Sequence, residues 1–64
     1  MKDLTERQFQ IVRLLAEGMT LAEIGAELGI TERTVKSHAI TIRHKFGVEK
    51  SRLIVPAARS MGLL

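Results

Sequence analysis

Between Thr31 and Phe46, side chains that can donate, accept or offer a methyl group recur at helical spacing. With Val35 as origin and about 100° per residue, Arg33, Ser37, Ile40 and His44 fall together at about 140–200°, flanked by Lys36 and Thr41. Reading base edges in the major groove of DNA needs such a mixture. Lys36 can donate to guanine O6 and N7, Ser37 can donate or accept, and Ile40 can touch a thymine methyl. Val35, Ala39, Ile42 and Phe46 occupy the other side, at roughly 340–40°, a narrow apolar stripe that docks on a core. Thr31 precedes the stripe as an N-cap whose hydroxyl accepts from an amide of the first turn. One face therefore belongs to the protein. The other, basic and hydroxyl-bearing, suits DNA.

Three further elements must position this helix. Thr5 and Gln8 have the spacing of a capping box, with Leu4 and Phe9 placed as a hydrophobic staple, so a first helix runs from about Glu6 to Glu17. Ile11, Val12, Leu14 and Leu15 give it an apolar face, and Gly18 stops it. Thr20 and Glu23 repeat the capping box, and Leu21, Ile24, Gly25 and Leu28 face inward at i, i+3, i+4 and i+7. Gly25 inside a helix costs up to about 1 kcal/mol relative to Ala, so close approach of another helix is expected there. Gly29-Ile30-Thr31 then makes the short turn of a helix-turn-helix. Gly47 ends the third helix, with Val48 folding back as in a Schellman motif. A last helix is expected from about Arg52 to Met61, capped by Ser51 and stopped by Gly62. There Pro56 either kinks the helix at its fifth position or marks a late start at its first. No strand pattern, internal repeat or low-complexity segment is present, so the expected fold is all-α: a compact four-helix domain over residues 1–64 containing a helix-turn-helix.

Composition narrows the function classes. At 64 residues, 45% hydrophobic and 27% charged, the chain suits one small core and not two. It has no cysteine, so neither a disulfide framework nor a thiolate metal site can form, and His38 and His44 alone do not make a metal site. No metal or cofactor is expected. The apolar runs fall far short of a membrane span, and no signal-peptide pattern opens the chain, which makes a cytoplasmic location the expectation. Net charge is +3, unevenly spread. Residues 1–32 carry three cations against six anions, whereas residues 33–64 carry seven cations against Glu49 alone, giving −3 and +6. A basic half facing a polyanion and an acidic half turned away would produce this asymmetry.

The succession Leu4-Thr5-x-Arg7, Leu14-Leu15-Ala16-Glu17-Gly18, Glu23-Ile24, Leu28-Gly29-Ile30-Thr31, Thr34-Val35-Lys36-x-His38, Lys45-Phe46-Gly47-Val48 and Gly62-Leu63-Leu64 resembles the LuxR/FixJ-type DNA-binding domain. That family supplies the output domain of many bacterial response regulators and quorum-sensing activators. The resemblance covers almost the whole chain with spacing intact. It implies a transcription regulator whose third helix enters the major groove and whose fourth mediates dimerisation, with RNA polymerase a further candidate partner. By the family's pattern Lys36, Ser37 and Ile40 meet base edges, with Arg33 at a base or a phosphate. Thr31, Thr34, His38, His44, Lys45 and Lys50 are placed for the phosphate backbone, aided by the positive helix N-terminus. Several positions depart from the pattern. Gln8 and Gln10 stand where glutamate is common, Leu21 where a polar residue is usual, and Arg43 where an apolar one is. Ile40 and Pro56 are also unusual.

The apolar arc of the last helix is wider than one core contact requires. Its surplus edge, Val55 and Ala58, is expected to meet a second copy, giving a weak dimer that an inverted repeat in DNA would assemble. Two other readings compete: the promoter-reading domain of a sigma factor, which shares the Leu-Thr-x-Arg opening, and a small helical module binding an acidic protein. An enzyme is disfavoured, since no nucleophile–base–orienter set and no phosphate-cradling glycine loop occur.

Overall fold

The computed structural model describes residues 4–64, so the charges of Lys2 and Asp3 lie outside the described residues. Four α-helices follow in order: α1 (Glu6–Ala16), α2 (Leu21–Leu28), α3 (Glu32–Phe46) and α4 (Ile54–Ser60), with a 3₁₀ turn at Ser51–Leu53 leading into α4. No strand occurs among the described residues.

Helix boundaries follow the capping chemistry. Thr5 Oγ1 accepts from the Gln8 N–H at 3.1 Å while Gln8 Oε1 accepts from the Thr5 N–H at 3.0 Å. Thr20 and Glu23 repeat the exchange at 3.1 and 2.8 Å. Each pair satisfies two amides that would otherwise lack partners. At the far end of α3, Gly47 takes φ +71°, which lets the Val48 N–H reach the Arg43 carbonyl at 3.0 Å and turns Val48 back onto the core.

The core is one cluster: Ile11 and Val12 of α1, Ile24 of α2, Val35, Ala39, Ile42 and Phe46 of α3, and Ile54 and Ala58 of α4. All four members of the apolar stripe on α3 are thus buried. The most extensive pairing is α2 on α3, and α1 and α4 also pack against α3. Gly25 explains the closeness of the first pair. A Cβ there would stand 2.7 Å from the Ile30 carbonyl oxygen and 3.2 Å from the Glu32 nitrogen. What fills the space beside Gly25 is therefore the backbone of the turn and the first residue of α3, rather than a helix side chain.

Around Pro56 and in α4 the structure corrects the sequence reading. Ser51 does not cap: Lys50 precedes the 3₁₀ turn, and no side-chain cap bond forms there. α4 proper begins at Ile54, which places Pro56 third in the helix. Proline is tolerated in the first turn of an α-helix, and that is where Pro56 stands. Ala58 is fully buried in the core and Val55 is half-buried. Ala58 is thus removed from the surface offered to a second copy. Nearly every residue from 53 to 58 is apolar, so periodicity alone could not say which edge of the arc turned inward.

Candidate nucleic-acid interface

The face opposite the buried stripe of α3 carries the basic, hydroxyl and apolar side chains singled out from the sequence. Arg33, Lys36, Ser37, Ile40 and His44 are all exposed. Ile40 retains 40% of its surface, although α3 has a core available to bury apolar groups. Its position in the helical phase forces it outward, because its neighbour Ala39 and the rest of the stripe hold the rotation of the helix. Lys36, Ser37 and Ile40 therefore share one side of the first three turns, where an α-helix lying in the major groove meets base edges.

The residues expected at phosphates divide into three situations. Thr31 and Thr34 are exposed but bonded to each other: Thr31 Oγ1 accepts from the Thr34 N–H at 3.1 Å, and the two hydroxyls lie 2.9 Å apart. Their first commitment is to the helix start. His44 and Lys50 are exposed, Lys50 just before the 3₁₀ turn. His38 and Lys45 are half-buried on the flank of α3 away from Lys36. Lys45 Nζ donates to Gln8 Oε1 at 2.8 Å, which ties the end of α3 to the start of α1. Gln8 is 7% exposed, so this bond is made where solvent is largely excluded. The hydroxyl of Thr41 donates back to the Ser37 carbonyl at 3.3 Å, a local bond within the helix.

Arg52 was not among the residues singled out from the sequence, yet it is exposed in the 3₁₀ turn next to Lys50, and that turn packs on α3. Taking Ser51 as a helix cap hid it, since that reading places Arg52 inside a regular helix. The remaining exposed large apolar side chains among the described residues are Leu53, Met61 and Leu64, in the 3₁₀ turn and at the end of the chain. No helix of the described residues is long and apolar enough to cross a membrane.

This arrangement is shared with known proteins. Residues 2–57 match the model of the family described as bacterial regulatory proteins, luxR family. The chain is 41% identical over 58 residues to the transcriptional regulatory protein UhpA of Escherichia coli (strain K12), covering 91% of this chain and 28% of that protein. It is 43% identical over 60 residues to the transcriptional regulatory protein LiaR of Bacillus subtilis (strain 168), covering 92% and 28%. Against the spore germination protein GerE of Bacillus subtilis (strain 168) it is 37% identical over 57 residues, covering 88% of this chain and 77% of that one. The crystal structure of the response regulator ChrA superimposes with a TM-score of 0.92 at 33% identity, over 100% of this chain and 32% of that chain. The chain thus spans less than a third of UhpA and LiaR, and those relatives are transcription regulators rather than enzymes. A capped four-helix fold, a helix-turn-helix closed over Gly25 and a sequence match across both place this chain in the luxR family of bacterial regulatory proteins, as a helix-turn-helix DNA-binding domain.

Proposed function

We propose that residues 1–64 act as a single domain that binds double-stranded DNA sequence-specifically, with α3 in the major groove. The observation that carries this reading is the division of α3. Val35, Ala39, Ile42 and Phe46 are buried, while Arg33, Lys36, Ser37, Ile40 and His44 face away. Lys36 and Ser37 supply the donor and acceptor for base edges, Ile40 the apolar contact to a thymine methyl, and Arg33 a base or phosphate contact. Thr31, Thr34, His38, His44, Lys45 and Lys50 line the phosphate backbone, which fixes orientation and supplies most of the salt dependence. The location that goes with this role is the cytoplasm.

Assembly is part of the same reading. The exposed apolar groups at Leu53, Met61 and Leu64, with the uncovered edge of Val55, offer a second copy a small surface beside α4. A patch of this size supports a dimer that is weak alone and is assembled by two half-sites on one duplex. Since the relatives include response regulators, the natural role is output of a two-component signal, with the sensing function held elsewhere. Selection of bound sequences from a random duplex pool tests the proposal. An enriched inverted repeat, bound with a steep salt dependence, is the expected result. An unenriched pool, or preference for an acidic protein over duplex DNA, overturns it.

A further inference from the structure

Among the described residues, one side-chain nitrogen is enclosed without a hydrogen-bond partner: Arg43 Nε. Arg43 is half-buried, and its backbone carbonyl is committed to the Val48 N–H at 3.0 Å. A guanidinium is charged at every pH a protein meets and carries five N–H donors, of which the enclosed Nε–H finds no acceptor among the described residues. A charged group held this way calls for an anion, and no acceptor among the described residues serves its enclosed nitrogen.

Where that anion comes from follows from the surroundings. On α3, Arg43 lies at about 80° in the Val35 frame, next to Lys36 at about 100° and one turn beyond Ile40. Lys45, which reaches α1, lies about 160° around the helix from it. The 3₁₀ turn also packs on α3, and it brings exposed Arg52, with exposed Lys50 just before it. Neither the 3₁₀ turn nor α4 contains an acid, so a second copy docked through α4 brings no carboxylate from these elements, and Glu49, the one acid nearby in sequence, is exposed beside Lys50. Three cations against one exposed carboxylate leave an excess of positive charge that suits an anion outside the protein.

We propose that Arg43 is a DNA-backbone contact: its stem is held by packing, and its terminal nitrogens meet a phosphate on the flank shared with Lys50 and Arg52. The inference rests on α3 entering the major groove and adds a residue to that reading. A stem already immobilised loses little further freedom on binding, and the planar fork matches two phosphate oxygens. The contact positions the helix and reads no base.

The test compares the 64-residue parent with Arg43→Leu, Arg43→Gln and Arg43→Lys on the duplex the parent selects, on an unrelated duplex and on a single half-site, across a salt series. Arg43→Leu is expected to weaken all three about tenfold and to lower the salt slope by about one, with a melting temperature no lower than the parent's. Arg43→Lys should keep the slope and lose part of the affinity. A neutral methylphosphonate at one phosphate per half-site should weaken the parent and leave Arg43→Leu unaffected. Parent-like affinity and slope in Arg43→Leu overturn the inference. So does a loss confined to cooperative two-site binding with the half-site unchanged, since that places the guanidinium on the second copy. If Arg43→Leu fails to fold, Arg43→Gln decides by the same slope. Failure of the parent to prefer any sequence would instead strike at the base-reading proposal, and the slope on the unrelated duplex would still judge Arg43.

Discussion

At Gln8 one amide oxygen accepts from two donors, the Thr5 backbone N–H at 3.0 Å and Lys45 Nζ at 2.8 Å. The residue thereby caps α1 and anchors the end of α3. Gln8→Leu removes the acceptor from both donors at a largely buried position, and a loss of about 1–3 kcal/mol is expected in thermal denaturation. Gln8→Glu retains the acceptor oxygens and should melt no lower than the parent. Lys36 is the opposite kind of residue, exposed and without a structural task in the core. Lys36→Ala should leave the melting temperature unchanged, weaken the selected duplex by about 1–3 kcal/mol and relax preference at one base position. A binding isotherm indistinguishable from the parent's would remove Lys36 from the base-reading set.

Among the elements, α2 and α3 depend on a missing side chain. Alanine at position 25 would gain about 1 kcal/mol of helix propensity. Its Cβ would also stand 2.7 Å from the Ile30 carbonyl oxygen, a backbone atom that cannot swing aside. The clash should win, and Gly25→Ala is expected to destabilise the domain by about 1–3 kcal/mol in a denaturant melt. A stabilised variant would mean that the turn yields readily. Ile42 tests the stripe on α3, since it is fully buried amid the core. Ile42→Ala should cost about 2–5 kcal/mol, a large part of what so small a domain has. Sequence preference in the fraction that remains folded should be unchanged. Altered preference without loss of stability would show that the stripe is misplaced.

For the whole molecule, the proposed assembly of two copies on one duplex is open to a direct test. Met61 is 42% exposed beyond α4, whereas Ala58 in the same segment is fully buried. Met61→Glu should therefore abolish cooperative binding to a two-half-site duplex and leave single half-site affinity nearly intact. Ala58→Glu should unfold the domain, because it places a charge in the core without a partner. Sedimentation of the protein with full-site and half-site duplexes separates the two effects. A Met61→Glu variant that still loads two copies cooperatively would move the interface elsewhere.

The sequence alone determined whatever depends on neighbours within a turn or two. The capping pairs Thr5–Gln8 and Thr20–Glu23 close as their spacing requires. The stripe Val35, Ala39, Ile42 and Phe46 is buried as its phase requires, and with it the outward side of Arg33, Lys36, Ser37 and Ile40 was legible, since turning one face inward turns the other out. Position 25 was legible as a place of close approach, but not what approaches. Tertiary structure decided the rest. Lys45 and Gln8 are thirty-seven residues apart, and nothing in either segment alone brings them together. The enclosure of Arg43 Nε depends on how the chain packs around α3. In α4 the apolar residues surround nearly the whole helix, so only docking on the core selected Ile54 and Ala58 for burial and left Leu53 and Met61 outside. Local patterns fix a face when polar and apolar residues alternate with the helical period. When they do not, packing chooses.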